Sequence, residues 1–302
     1  MANLLSSVPT HATLPDCFVF PPDQRPPAST QAVSLPVIDL SRGRDEVRRA
    51  VLDAGKELGF FQVVNHGVSA EAIRDMEAAC EEFFRLPAED KVAFYSEDTD
   101  KPNRLFSSTT YELGGEKYWR DCLRLACGSP VGDTKNNWPD KPQKLREVVE
   151  KFVEPTRAVG MELLRLLCEG MGLRPDYFEG DLTGGDVIIN HRPGPPGLLQ
   201  GRLDQRRVRA NAFVVNFGHL LEIATNGVLK SIEHRAMTNG ALARTSVATF
   251  LMPAADIPIG PAEELVGEGN PPRYRTVTFD EFMRVYKTVG ARRESVEKAF
   301  KL

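Results

Sequence analysis

Asn211 to Pro253, NAFVVNFGHLLEIATNGVLKSIEHRAMTNGALARTSVATFLMP, is the stretch that decides how this chain folds. Ala212 to Val215 is a β-branched and aromatic run, and Thr245 to Met252 alternates before turning apolar, so both read as strands, the second stopped by Pro253. Between them lie Thr225-Asn226-Gly227 and Thr238-Asn239-Gly240. Asn-Gly between apolar runs is a strong turn cue, because the tight hairpin turns need positive φ. The pattern puts His234 on a strand between two turns and has Arg244 open the next strand.

An imidazole on one strand beside Arg244-Thr245-Ser246 on its neighbour is suited to hold a metal at His234 while Arg244 grips an acidic ligand. The planar guanidinium donates two parallel hydrogen bonds to a carboxylate. The phrase LEIATNGVLKSIEHRAMTN, with this Arg-x-Ser, resembles the C-terminal core of the plant soluble Fe(II)- and 2-oxoglutarate-dependent dioxygenases, and the wording is nearest the branch of deoxymugineic-acid dioxygenase and hyoscyamine hydroxylase. The resemblance implies that His234 is the distal iron ligand and that Arg244 and Ser246 hold the far carboxylate of 2-oxoglutarate.

That family's iron site is a facial triad of two His and one carboxylate, the first His and the acid supplied as His-x-Asp. The chain has five histidines, and the residues two places after His11, His66, His191, His219 and His234 are Thr13, Val68, Pro193, Leu221 and Ala236. No His-x-Asp or His-x-Glu exists. One alignment lays Arg202-Leu203-Asp204 over the missing motif and makes Asp204 the triad acid. Arginine cannot replace the His, since it stays protonated and has no lone pair to offer. Against that reading, Asp204 stands among Arg202, Arg206, Arg207 and Arg209, as in a solvated charged loop. His219 is the other imidazole near the expected position, and His66 is read as a strand-end histidine bound to backbone rather than to metal.

Upstream, Leu35 to Leu40 reads as a short strand. The helix after it is capped by Ser41 or Asp45, carries Val47, Ala50, Val51, Ala54 and Leu58 on one face, and is ended by Gly59. Phe60 to Asn65 is a buried strand closed by His66-Gly67, and Ile73, Met76, Cys80, Phe83 and Phe84 mark a second helix stopped before Pro87. LPVIDLS, GFFQVVNHGV and EFFRLPAEDK resemble the N-terminal module of the same family, independently of the C-terminal match. Ser96 to Lys141 reads as loop-rich with one strand in KYWRDCLRL, and Leu145 to Met171 as a long helix, kinked near Pro155 and packed outside the sheet.

Asp186 to Asn190 reads as the first strand of the catalytic barrel, followed by His191-Arg192-Pro193. The resemblance implies that Asn190 lies near 2-oxoglutarate, while Arg192 stands where the family has Tyr. From Leu198 to Arg209 the chain has room for at most one or two strands of roughly 5 to 6 residues, where the family has a longer passage. The implied fold is α+β, a double-stranded β-helix (jelly roll) with helices packed outside, incomplete because several strands are missing.

The layout expected is an extended Pro-rich arm at 1–34, an N-terminal module at 35–130, a long helix and linker at 131–185, the truncated oxygenase core at 186–260, and a C-terminal loop and helix at 261–302. The resemblance lays the arm over the domain. In the tail, Phe282, Val285 and Tyr286 share a helix face, and Gly290 interrupts that helix.

With 38 basic against 42 acidic residues and net charge −4, there is no electrostatic case for nucleic acid or an anionic membrane. No apolar run approaches the roughly 18 residues of a membrane span. Five cysteines without a CxxC, and an N-terminus without a basic, apolar leader, point to reduced thiols in the cytoplasm. The partners expected are a small-molecule substrate and dioxygen, with Fe(II) as cofactor, 2-oxoglutarate as co-substrate, and a monomer as the working form. Three readings follow: an oxygenase hydroxylating a small specialised metabolite, an inactive relative that binds an acidic small molecule, and a truncated gene product.

Overall fold

The computed structural model describes residues 4–5, 18, 34–107, 118–128, 130–179, 184–192, 209–232, 234, 244–291 and 296–302. The chain opens with β1 (Val37–Asp39), α1 (Arg44–Glu57), β2 (Phe60–Val64), α2 (Ala70–Arg85) and the short α3 (Ala88–Lys91). A hairpin of β3 (Arg104–Ser107) and β4 (Asp121–Ala126) precedes the long α4 (Leu145–Met171) and β5 (Gly184–Arg192). Then come β6 (Phe213–Asn216), α5 (His219–Ala224), β7 (Arg244–Met252), β8 (Pro258–Ile259), β9 (Val277–Thr278) and α6 (Phe279–Ala291).

The strands form sheets ordered β1-β2-β6, β3-β4-β5-β7 and β8-β9. β1 runs parallel to β2, as a crossover through α1 requires, and the partners in the four-stranded sheet are antiparallel. Both larger sheets pack on α4. Its N-terminal half sets Val149, Phe152 and Val153 in one core with Leu105, Leu123 and Leu125 of the β3–β4 hairpin and Phe83 of α2. Its C-terminal half sets Leu163, Leu166 and Leu167 against Ile38, Phe61 and Val63 of the three-stranded sheet and Val51 of α1. A helix of 27 residues spans about 40 Å at 1.5 Å per residue, enough to support both.

Most expected elements stand, with five corrections. The N-cap of α1 is Gly43, with no side-chain cap; Ser41 turns back instead, its hydroxyl donating to Asp39 Oδ1 at 2.7 Å. The loop-rich stretch holds a second strand, β3, cross-paired to β4. After β6 the chain turns into α5, and neither Val228–Ile232 nor His234 is in a strand, so the expected strand for His234 is not formed. Thr225-Asn226-Gly227 does turn, with φ of 50° and 77° at Asn226 and Gly227, but it ends a helix instead of joining two strands. Finally, α6 runs through Gly290 to Ala291.

α4 is continuous through Pro155 and closes on Gly172 in the left-handed region (φ 76°), which costs glycine little because it has no Cβ. Of the N-terminal arm, the described pieces are packed: Leu4 is buried in the α2–α4 core, the Leu5 N–H donates to Asp121 Oδ1 at 3.0 Å, and Phe18 meets Trp119 edge to face. The expected turn at Thr238-Asn239-Gly240, the bridge from Leu198 to Val208 and Asp204 lie outside the described residues.

Candidate functional site

The pairing of β5 with β7 sets the backbone positions of the expected keto-acid residues side by side. Asn190 is the register partner of Ser246, and Arg192 of Arg244, while β4 sets Cys122 opposite Asn190. Leu105, Leu123 and Leu125 pack toward the helices, and Val247 rests against the same core. Alternation along a strand then turns Ser246 and Arg244 to the other face. Arg244 is partly buried, and burial pulls its guanidinium below its usual range. The group remains charged, so an anion that pairs with it offsets desolvation as well as adding hydrogen bonds.

His234 belongs to a different part of the fold. It is exposed, and its ring meets Phe60 of β2 edge to face at 4.7 Å. Its Nδ1 lies 3.1 Å from the carbonyl of Ile232. A carbonyl only accepts, so Nδ1 carries the proton and Nε2 keeps the lone pair, the tautomer a metal ligand needs. His234 thus packs on the three-stranded sheet, whereas Arg244 and Ser246 sit on the four-stranded one.

The segment before His234 is held by Glu222 of α5. This buried carboxylate accepts the Ser231 N–H at 2.9 Å and the Tyr274 hydroxyl at 3.1 Å. Burial, then the neighbouring Glu222 charge, pushes the Tyr274 hydroxyl well above its usual range. Sequence reasoning missed this network, since a glutamate in an apolar run carries no local sign of a partner 52 residues further on.

His66 is fixed as expected by backbone. Its Nδ1 accepts the Val68 N–H at 3.2 Å, so Nε2 donates to the Asn211 carbonyl at 2.8 Å, and the ring stacks on Phe213 at 4.1 Å. His219 starts α5 with Nδ1 buried and without a hydrogen-bond partner among the described residues; burial lowers its pKa against the opposing charges of Glu222 and Glu297. The four described cysteines are buried.

An octahedral Fe(II) facial triad needs three protein donors on one face. Among the described residues no group of three or more His, Cys, Asp or Glu side chains could hold a metal ion. In the bridge outside them, from Pro193 to Val208, the one residue of those types is Asp204. Among the described residues the donor set does not fit the triad, although His234 offers one correctly protonated imidazole.

Residues 35–142 match the family described as non-haem dioxygenase in morphine synthesis N-terminal, and residues 187–253 match the 2OG-Fe(II) oxygenase superfamily. The chain is 58% identical to 2'-deoxymugineic-acid 2'-dioxygenase of Hordeum vulgare, covering 96% of this chain and 94% of that protein. It is 50% identical to mugineic-acid 3-dioxygenase of the same plant (96% and 95% covered) and 30% identical to hyoscyamine 6-dioxygenase of Hyoscyamus niger (89% and 90% covered). The crystal structure of JOX2 in complex with 2OG, Fe and JA superposes with a TM-score of 0.84 at 30% identity, over 98% of this chain and 96% of that one. A rice dioxygenase for auxin oxidation, at 22% identity with 89% of this chain and all of that chain covered, shares the fold with a TM-score of 0.72. The α+β architecture is that of these jelly-roll oxygenases, and no described helix is long and apolar enough to cross a membrane. The chain belongs to the plant Fe(II)- and 2-oxoglutarate-dependent dioxygenases, oxidoreductases with Fe(II) as cofactor and 2-oxoglutarate as co-substrate.

Proposed function

We propose that the chain is a relative of the mugineic-acid dioxygenases that keeps a carboxylate grip at Arg244, Ser246 and Asn190 but lacks a complete iron site. As written, it binds 2-oxoglutarate and an acidic small metabolite and turns over weakly or not at all. One observation carries this reading: Asn190 and Ser246 are in register beside Arg244, in a sequence without His-x-Asp or His-x-Glu. Changes around metal ligands already cost about 10- to 100-fold in affinity or activity, and loss of two of the three ligands costs more. His234 is the remaining metal donor, and Asp204 is the acid that an alternative alignment offers in place of the missing one.

Two further observations support a missing block of strands near Leu198 to Arg209, and so an incomplete jelly roll. The barley alignments run over 320 and 322 positions, more than the 302 residues of this chain, so those relatives carry residues with no counterpart here. Val214 on β6 and Phe250 on β7 are large apolar side chains 44% and 42% exposed, on strands that edge their sheets among the described residues. Uncovered apolar edge strands are what remains when a pairing neighbour is removed. The protein acts as a cytoplasmic monomer in this reading.

The test compares the chain with a chimera in which residues 198–208 are replaced by the corresponding longer segment of the barley 2'-deoxymugineic-acid 2'-dioxygenase. Both are titrated anaerobically with Fe(II) and 2-oxoglutarate, then assayed for succinate with 2'-deoxymugineic acid. The chain as written should bind 2-oxoglutarate without the visible iron–keto-acid band, and the chimera should gain both band and turnover. A band and full turnover in the unmodified chain, or none in a folded chimera, would overturn the reading.

A further inference from the structure

The four-stranded sheet carries more positive charge on the face of Ser246 than the keto-acid grip uses. Because Leu105, Leu123 and Leu125 point to the helix-side core, the alternate residues Arg104, Phe106, Cys122 and Arg124 face the other way. The register sets Arg104 directly opposite Arg124. Like charges directly opposite one another across two strands are destabilising. The placement is more costly because Arg104 is only 8% exposed and its Nε has no hydrogen-bond partner among the described residues. A single long contact, 3.4 Å, joins its Nη1 to the Ser96 carbonyl, and its guanidinium lies 4.0 Å above the Phe106 ring.

Burial lowers the Arg104 pKa, and the Arg124 charge lowers it further. The acids whose charge reaches Arg104, Asp98 and Asp100, are exposed to solvent, and Asp100 also stands 3.9 Å from Lys287. Arg124 directs Nη1 at the Thr99 carbonyl, 3.5 Å away. A guanidinium does not escape burial by losing its proton, so a buried one calls for a negative partner.

We propose that Arg104 and Arg124 form a second anion-holding site, separate from Arg244 and Ser246, that takes a carboxylate of the small-molecule substrate. The proposal rests on the reading above only in calling that molecule the substrate. Strands about 4.8 Å apart and rising about 3.4 Å per residue put the Arg124 and Ser246 Cα atoms roughly 12 Å from one another. That span lets a small acidic metabolite sit beside the keto acid without sharing its grip. The row of cations selects for a substrate with at least one carboxylate away from its reacting end, and against neutral ones.

Calorimetric titration of the full chain without metal tests this, with citrate as the probe polycarboxylate and 2-oxoglutarate in a separate arm. Losing one charge-assisted pair should weaken citrate roughly 10- to 100-fold in Arg104→Gln and in Arg124→Gln, while 2-oxoglutarate affinity stays put. Arg244→Gln should do the reverse. Arg124→Lys should recover part of the citrate affinity, since it keeps the charge and loses only the fork. Because Arg104 is buried, Arg124→Gln decides the matter if Arg104→Gln does not fold. A wild-type chain that ignores citrate, citrate affinity unchanged in folded Arg124→Gln, or loss of both ligands in every variant would each overturn the proposal. Failure of 2-oxoglutarate alone to bind the wild-type chain would strike the functional reading and leave this site standing.

Discussion

Glu222 shows how a single side chain fixes the approach to the candidate site. Its two oxygens hold the Ser231 N–H and the Tyr274 hydroxyl, tying α5 and the C-terminal section to the segment that leads to His234. Glu222→Ala leaves both donors without this acceptor in a buried setting, a loss of roughly 1 to 3 kcal/mol for each group stranded. Tyr274 retains Glu297 Oε1 at 3.5 Å, so the larger share falls on Ser231. Denaturant unfolding should therefore place Glu222→Ala below wild type by about 1 to 3 kcal/mol, with Glu222→Gln in between because its amide oxygen still accepts one bond. Equal midpoints for all three would mean the carboxylate is not what holds the segment. None of this was legible in sequence. By contrast His66 was, because its partners are set by the strand end it occupies. Arg244 and Ser246 were legible in part, because alternation and the strand start place them whatever surrounds the strand.

Elements were legible where period and length agreed. α1, α2, α4, β2 and β7 stand where the apolar spacing put them, because each buries a continuous face. The helix after β6 carried no readable period: Leu220, Leu221 and Ile223 make a short apolar run, and six residues are too few for a helical period to separate from a strand. What fixes α5 is tertiary. The turn between α1 and β2 is built into the chain that follows α5: the Gly55 carbonyl accepts the Lys230 N–H at 3.0 Å, and the Gly59 carbonyl accepts the Phe217 N–H at 2.9 Å. Gly59 itself has φ +62°, and a Cβ there would stand 2.0 Å from the Lys230 carbonyl oxygen. Gly59→Ala combines a left-handed backbone with a clash against backbone that cannot swing aside. It should destabilise by more than the roughly 1 kcal/mol that the left-handed region alone costs an L-residue. Gly43→Ala is the control, since φ there is −58° and nothing lies within 4 Å of the added carbon. Thermal unfolding should separate the two variants clearly; similar midpoints would show that the α1–β2 turn is not seated as described.

At the scale of the whole molecule, composition and charge gave the class of partner, while the completeness of the iron site depends on the bridge, where few residues carry a pattern to read. The buried thiols make a molecule-wide property testable. Burial pushes Cys80 up to about 12 and Cys168 to about 11, from an ordinary thiol value of 9.0. It also pushes Tyr95 up to about 12 from 10.0. Above pH 9 the unfolded chain gives up thiol protons that the folded chain keeps, so the unfolded state binds fewer protons and stability falls as pH rises from about 9 toward 11 to 12. Each thiol contributes at most about 1.4 kcal/mol per pH unit over its window. Lys91 works in the opposite sense: burial lowers its pKa from 10.5, so the folded state sheds that proton first and gains stability as pH climbs toward 10.5. The two effects are separable by substitution. In Cys80→Ala, unfolding free energy at pH 7 should drop by the packing lost with the sulfur, and between pH 9 and 10.5 it should fall less steeply than wild type by up to that one thiol's slope. The pH 7 offset reports packing and the difference in slope reports the proton, so parallel curves would show that Cys80 ionises alike in folded and unfolded chains.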